Sequence, residues 1–145
     1  MTSTTSERRT HRGILPLAIA AAVAAGGRPT LLVLGDGGLM LGGLSELATA
    51  AREKLNLVVV VCNDGGYGAE YVQFLDRDMD PALSLNHWAG FAPVAQALGC
   101  DGRSVTNTDE LRAALQAATA ADRQGPFLID VKIDPAMTPY YESPK

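Results

Sequence analysis

The segment Asn56 to Asp64, NLVVVVCND, most constrains what this chain can fold into. Its β-branched residues run on without polar alternation, the mark of a strand covered on both faces. Such a strand belongs to a parallel sheet, whose neighbours are joined by crossovers that are usually helices. The flanking sequence supplies them. A helix is expected from about Ile14 to Ala25, with Pro16 in its first turn and Gly26-Gly27 ending it. A strand from Thr30 to Leu34 comes next, then a Gly-rich turn, then a helix from about Leu44 to Lys54 with Leu44, Leu47, Ala48, Ala51 and Leu55 on its core face. Gly65 to Gly90 reads as a long irregular stretch or as short helices. Beyond it come a helix Phe91 to Leu98 closed by Gly99, a short strand near Arg103 to Val105, a helix to about Ala121, and a strand PFLIDVKID. Thr108 is the expected N-cap of that last helix, with Asp109 and Glu110 in its first turn. The expected class is therefore α/β: a three-layer sandwich of a mainly parallel sheet with helices on both faces.

At 145 residues the chain is the size of one domain and long enough for a single core. The expected organisation is a Ser/Thr/Arg-rich tail over 1–12, a domain over 13–136, and a second tail over 137–145. A net charge of −4 gives nucleic acid or an anionic membrane no footing. The basic start and the twelve apolar residues from Ile14 to Ala25 have roughly the outline of a secretory signal, but the run is too short for a membrane span of about 20. The competing assignment, an Ala-rich buried helix, also accounts for the strand and turn after it. Only two cysteines, Cys62 and Cys100, are present, which suits a reducing compartment, the cytoplasm, better than a disulfide scaffold.

Two polar clusters fall where apolar strands end: Gly35-Asp36-Gly37-Gly38 and Asn63-Asp64-Gly65-Gly66. In open parallel sheets, ligands sit beyond the carboxyl ends of the strands. Glycines there let backbone N–H groups approach a ligand, and an adjoining helix N-terminus favours anions. Asp36 and Asp64 are themselves anionic. A divalent cation reconciles the two, since Mg²⁺ takes hard oxygen ligands together with substrate phosphates. The bland alternative for Gly-Asp-Gly is a tight turn with an Asx-type hydrogen bond.

GDGG, then the 24 residues LMLGGLSELATAAREKLNLVVVVC, then ND and GGYGAE resemble the diphosphate-binding signature of thiamine diphosphate-dependent enzymes. The flanks GILPLAIAAAVAAGGRPTLLVLGDGG and FAPVAQALGCDGRSVTNTDELRAALQAA…GPFLIDVKID are similar to the acetolactate synthase, benzoylformate decarboxylase and pyruvate decarboxylase branch of that family. The resemblance spans Gly13 to Pro135 and implies the thiamine diphosphate-binding fold. It implies Asp36, Asp64 and the carbonyl of Gly66 as Mg²⁺ ligands, and Gly35, Gly37, Gly38, Asn63, Tyr67 and Gly68 beside the diphosphate. Asp64 stands where the family has asparagine, which keeps an oxygen ligand and adds a charge; a helix cap is its other role.

The resemblance further implies decarboxylation or carboligation of a small 2-keto acid. The activating glutamate of the family lies on a separate pyrimidine-binding domain, and neither Glu46 nor Glu70 is placed to replace it. The expectation is thus a half-site, completed by another domain, by a partner subunit or within a homo-oligomer, with no catalytic residue assigned on this chain. Tyr67, Glu70, Gln73, His87 and Trp88 are candidates to face substrate or subunit, although Tyr67 and Phe74 also suit packing, and His87-Trp88 a surface or interface pair. Two alternatives remain: a truncated, non-catalytic interaction module, and a phosphoryl-transfer or receiver-like domain. The second lacks a P-loop lysine, and Lys132 lies inside the last strand.

Overall fold

The computed structural model describes residues 13–134; both expected tails lie outside them. Four strands, β1 (Thr30–Gly35), β2 (Leu57–Asn63), β3 (Asp101–Val105) and β4 (Phe127–Lys132), form one sheet in the order β1-β2-β4-β3. Every pairing is parallel, with Leu32 opposite Val59, Val59 opposite Leu128 and Arg103 opposite Ile129. The helices are α1 (Ile14–Ala24), α2 (Asp36–Gly42), α3 (Glu46–Arg52), α4 (Gly68–Leu75), α5 (Phe91–Ala97) and α6 (Thr108–Ala118), with a 3₁₀ turn at Pro81–Ser84. The α/β class and the parallel sheet are as expected.

The alternating strand positions divide the core in two. Leu32, Leu34, Val59, Val61 and Leu128 point to one face and meet Leu15 and Ala22 of α1, Leu39 of α2, Leu47 and Ala50 of α3, and Phe91 and Ala95 of α5. Val58, Val105, Phe127 and Ile129 point to the other face and meet Ala114 and Ala118 of α6. Because α6 lies over β3 and β4, coverage of β2 is partial: Val60 and Cys62 are half-buried. At the β1 edge, Leu31 and Val33 are 62% and 56% exposed.

Several local expectations shift for identifiable reasons. Asn107, not Thr108, caps α6: its extended backbone lets the side-chain oxygen accept from Glu110 N–H at 2.9 Å. Glu110 reaches back to accept from the N–H and hydroxyl of Thr106, just before the cap, which holds the Glu110 carboxyl below its usual range. The same helix ends at Ala118 rather than Ala121. In α3 it is Ala50, three residues after Leu47, that is buried, while Ala48 faces out. The Gly-rich turn after β1 is the first turn of α2, and the irregular stretch contains α4 and the 3₁₀ turn. Among the described residues no helix is long and apolar enough to cross a membrane.

Both cysteines are free thiols. Burial, with a smaller push from the Asp101 charge, raises the Cys100 thiol to about 11. Since the thiolate is the reactive form, Cys100 is expected to resist iodoacetamide at neutral pH in the folded chain and to be alkylated in denaturant. Mass spectrometry of the two samples checks this; equal labelling would contradict the packing assigned to Cys100.

Candidate functional site

Register brings the two polar clusters together. Gly35 at the end of β1 lies opposite Cys62 near the end of β2, so Asp36 and Asp64 come just after adjacent strand tips. Asp36 is only 2% exposed. Its Oδ1 accepts from Gly37 N–H at 2.8 Å, and its Oδ2 accepts from the N–H groups of Gly65 and Gly66 at 3.0 and 3.1 Å. Gly66 N–H is shared: Asp64 Oδ1 also accepts from it, at 3.2 Å. Two carboxylates therefore converge on one main-chain donor. Asp64 does not cap α4, whose N-cap position is Tyr67.

Burial raises the Asp36 carboxyl above its ordinary range, and the Asp64 charge pushes it the same way. The hydrogen bonds from Gly37 and Gly65 oppose that rise, as does the nearby Trp88 indole. That indole N–H is buried, with no hydrogen-bond partner of normal geometry. Trp88 packs on the core and stands edge-on to Tyr67, ring centroids 6.0 Å apart. Tyr67 lies against α2: a Cβ added at Gly37 would come within 2.7 Å of its ring, and Gly66 O lies 3.4 Å from the same point. The Gly66 carbonyl thus faces the start of α2.

The loop bearing Asp64 is clamped from its far side. Tyr67 N–H donates to Ser84 O at 2.8 Å and Asn86 N–H to Gly65 O at 2.6 Å, bridging Gly66 to Leu85. Gly65 has φ +81, a conformation that suits glycine, and a Cβ at Gly66 would stand 2.5 Å from Ser84 O. Gly38 differs, with no atom within 4 Å of where its Cβ would be.

The structure gathers Gly35, Asp36, Gly37, Gly38, Asn63, Asp64, Gly66, Tyr67 and Gly68 at the tips of β1 and β2. It separates His87, which is exposed, from Trp88, which is half-buried; Glu70 and Gln73 are exposed on α4. Sequence reasoning gave no role to Ser84, whose carbonyl clamps the loop, or to Asp130. Asp130 is fully buried and accepts from Asn63 Nδ2 at 2.8 Å, Phe91 N–H at 3.1 Å and Ser104 hydroxyl at 3.3 Å, with Lys132 Nζ at 2.8 Å. A carboxylate inside the apolar run PFLIDV was the available signal.

Fold and paired tips define an α/β domain of the class in which ligands sit beyond the carboxyl ends of neighbouring parallel strands. Residues 10–131 match the family model for the C-terminal TPP binding domain of thiamine pyrophosphate enzymes, and the chain belongs to that family. Thiamine pyrophosphate and thiamine diphosphate are the same molecule. The chain is similar to the acetolactate synthase isozyme 2 large subunit of Escherichia coli, 30% identical over 122 residues, covering 83% of this chain and 22% of the relative. It is also similar to the oxalyl-CoA decarboxylase of Escherichia coli, 34% identical over 120 residues, covering 82% and 21%. The solved structure of a thiamine diphosphate-dependent 4-hydroxybenzoylformate decarboxylase from Rhodococcus jostii RHA1 superposes with a TM-score of 0.72 at 30% identity, covering 83% of this chain and 23% of the other. The chain thus spans about one fifth of the length of these relatives and corresponds to one domain of a larger enzyme.

The two glycines predict opposite outcomes. Gly66→Ala forces its Cβ into Ser84 O and is expected to lower stability by about 1–3 kcal/mol. Gly38→Ala, in helix α2 with open space around it, is expected to hold or raise stability by up to about 1 kcal/mol. Urea unfolding of both variants checks this; equal destabilisation would contradict the geometry.

Proposed function

We propose that Asp36, Asp64 and the carbonyl of Gly66 hold one Mg²⁺ that carries the diphosphate of thiamine diphosphate. On this reading the chain forms one half of a 2-keto acid decarboxylase or carboligase site, acetolactate synthase-like, completed by a pyrimidine-binding domain or subunit. The observation that carries it is the convergence of two carboxylates on the N–H of Gly66. The donor set fits the ion: two carboxylates and a main-chain carbonyl are hard oxygens, and Mg²⁺ commonly completes its octahedron with substrate phosphate and water. Among the described residues no group of three His, Cys, Asp or Glu side chains is available, which leaves the remaining positions to main chain and diphosphate.

Thiamine diphosphate, when bound, supplies the electron sink for loss of CO₂ from a 2-keto acid. This chain's residues bind and orient it. Gly35 and Gly38 leave room at the strand tip, α2 and α4 begin beside it, and Tyr67 with Trp88 forms a wall. Asn63 and Gly68 flank the same loop. Glu70, Gln73 and His87 remain candidates to face substrate or partner. A larger assembly is supported by exposed apolar side chains on two surfaces, Leu17 and Val23 on α1 and Leu31 and Val33 on the opposite sheet face at the β1 edge. The free thiols support the cytoplasm as the compartment.

A raised Asp36 carboxyl fixes the sign of the pH dependence. In the metal-free chain its contribution to stability is fully present below the unfolded value and is lost as pH rises through the folded one. Mg²⁺ requires the ionised form, so its affinity rises with pH over that window and binding releases protons.

Calorimetric titration is expected to show heat only when Mg²⁺ and thiamine diphosphate are both present, alone or with a partner subunit. Asp36→Ala is expected to weaken binding about 10-fold or more, the scale seen when a metal site loses support. Asp64→Asn is expected to keep binding and to move its onset to lower pH, because the charge that adds to the rise at Asp36 is gone. Absence of heat in every combination would favour the second reading, a non-catalytic interaction module, which the one-fifth coverage of the relatives also accommodates.

A further inference from the structure

Asp130 lies outside the proposed ligand set, yet it is joined to it by a chain of hydrogen bonds with a fixed polarity. Asn63 Nδ2 donates to Asp130 Oδ1 at 2.8 Å, while Asn63 Oδ1 accepts from Gly65 N–H at 3.2 Å. The same Gly65 N–H donates to Asp36 Oδ2 at 3.0 Å. A carboxylate can only accept and a main-chain N–H can only donate, so the Asn63 amide has one permitted orientation. Asp130 Oδ2 is occupied on its other side by Phe91 N–H, the Ser104 hydroxyl and Lys132 Nζ. Register places Lys132 opposite Asn63 and Asp130 opposite Val61, on the sheet face that α5 covers. The buried carboxylate therefore accepts at both oxygens, from Asn63 at Oδ1 and from the other three donors at Oδ2.

We infer that Asp130 is a positioning residue of the strand-tip site: it locks the Asn63 amide so that Gly65 N–H is presented to Asp36 and the Asp64–Gly66 turn is held in place. For its ligand the inference rests on the proposed function. It adds a residue two strands away from Asp36 that touches neither ion nor cofactor and acts through Asn63.

Polarity makes the inference testable with nearly isosteric changes. In Asp130→Asn the new amide must turn its NH₂ either on Asn63 Nδ2 or on Phe91 N–H, donor against donor. Relief by flipping Asn63 would set its NH₂ against Gly65 N–H. The exchanged pair Asn63→Asp with Asp130→Asn restores the order: residue 130 donates to residue 63, residue 63 still accepts from Gly65, and Lys132 meets a carboxylate at its register partner. The experiment measures amide hydrogen exchange of Gly65 by NMR without cofactor, with Val59 in the core as control. Affinity for Mg²⁺ with thiamine diphosphate is measured beside it.

Asp130→Asn is expected to speed Gly65 exchange and weaken ligand affinity, each by about 10-fold, with Val59 unchanged. The exchanged pair is expected to recover Gly65 protection. Wild-type Gly65 exchange in Asp130→Asn overturns the inference, as does an exchanged pair no better protected than the single variant. If Asp130→Asn does not fold, the exchanged pair decides: folding with Gly65 protected supports the relay, and failure to fold overturns it. Failure of the unaltered chain to bind Mg²⁺ with thiamine diphosphate removes the proposed function instead, and the cofactor-free exchange comparison still decides the relay.

Discussion

The Asp36 carboxylate, accepting from Gly65 and Gly66 across the gap between two parallel strands, is the tie on which the rest of the site depends. A carboxylate withdrawn from water is costly unless it is well bonded. Three main-chain donors offset part of that cost, and the raised carboxyl shows that they do not offset all of it. Asp64 at the same donor adds a like charge. Local stability alone gives no reason to hold two carboxylates there, and a divalent cation would supply one. Perturbed groups of this kind concentrate at functional sites.

The tie reaches outward through ordinary packing. Ser84 and Asn86 hold the loop from one side, Tyr67 lies over Gly37 from another, and Asp130 fixes Asn63 from beneath. One sheet face, packed under four helices, makes a rigid base. Among the described residues the opposite face is covered where α6 reaches, leaving Leu31 and Val33 open at the β1 edge. An edge of this kind is a natural place for further strands or a partner to join, in keeping with relatives in which this domain is about one fifth of the chain.

Much of the fold was legible because its signals are local and physical. The unbroken run at Leu57–Cys62 announced a buried parallel strand, and the glycine-carboxylate clusters announced two strand tips. Their separation and flanks carried the family resemblance, which the family match bears out. Boundaries were less legible. Asn107 and Thr108 are both good caps, and only backbone geometry chooses between them. Ala48 and Ala50 are equally apolar, and the register of α3 decides which is buried. The apolar run around Asp130 marked it as unusual, but its role was not legible because its donors come from four separate segments, and no short window contains more than one of them besides itself. Partial coverage of β2 was likewise hidden, since covering a strand depends on which helix the topology delivers to each face.

The most direct test of a single ion bridging both tips and the diphosphate is electron–nuclear double resonance on the chain loaded with Mn²⁺ in place of Mg²⁺ and with thiamine diphosphate. A shared site predicts phosphorus-31 couplings from directly coordinated diphosphate, which disappear in Asp36→Ala. Bound Mn²⁺ without phosphorus coupling, or coupling that survives the loss of the Asp36 carboxylate, would contradict it.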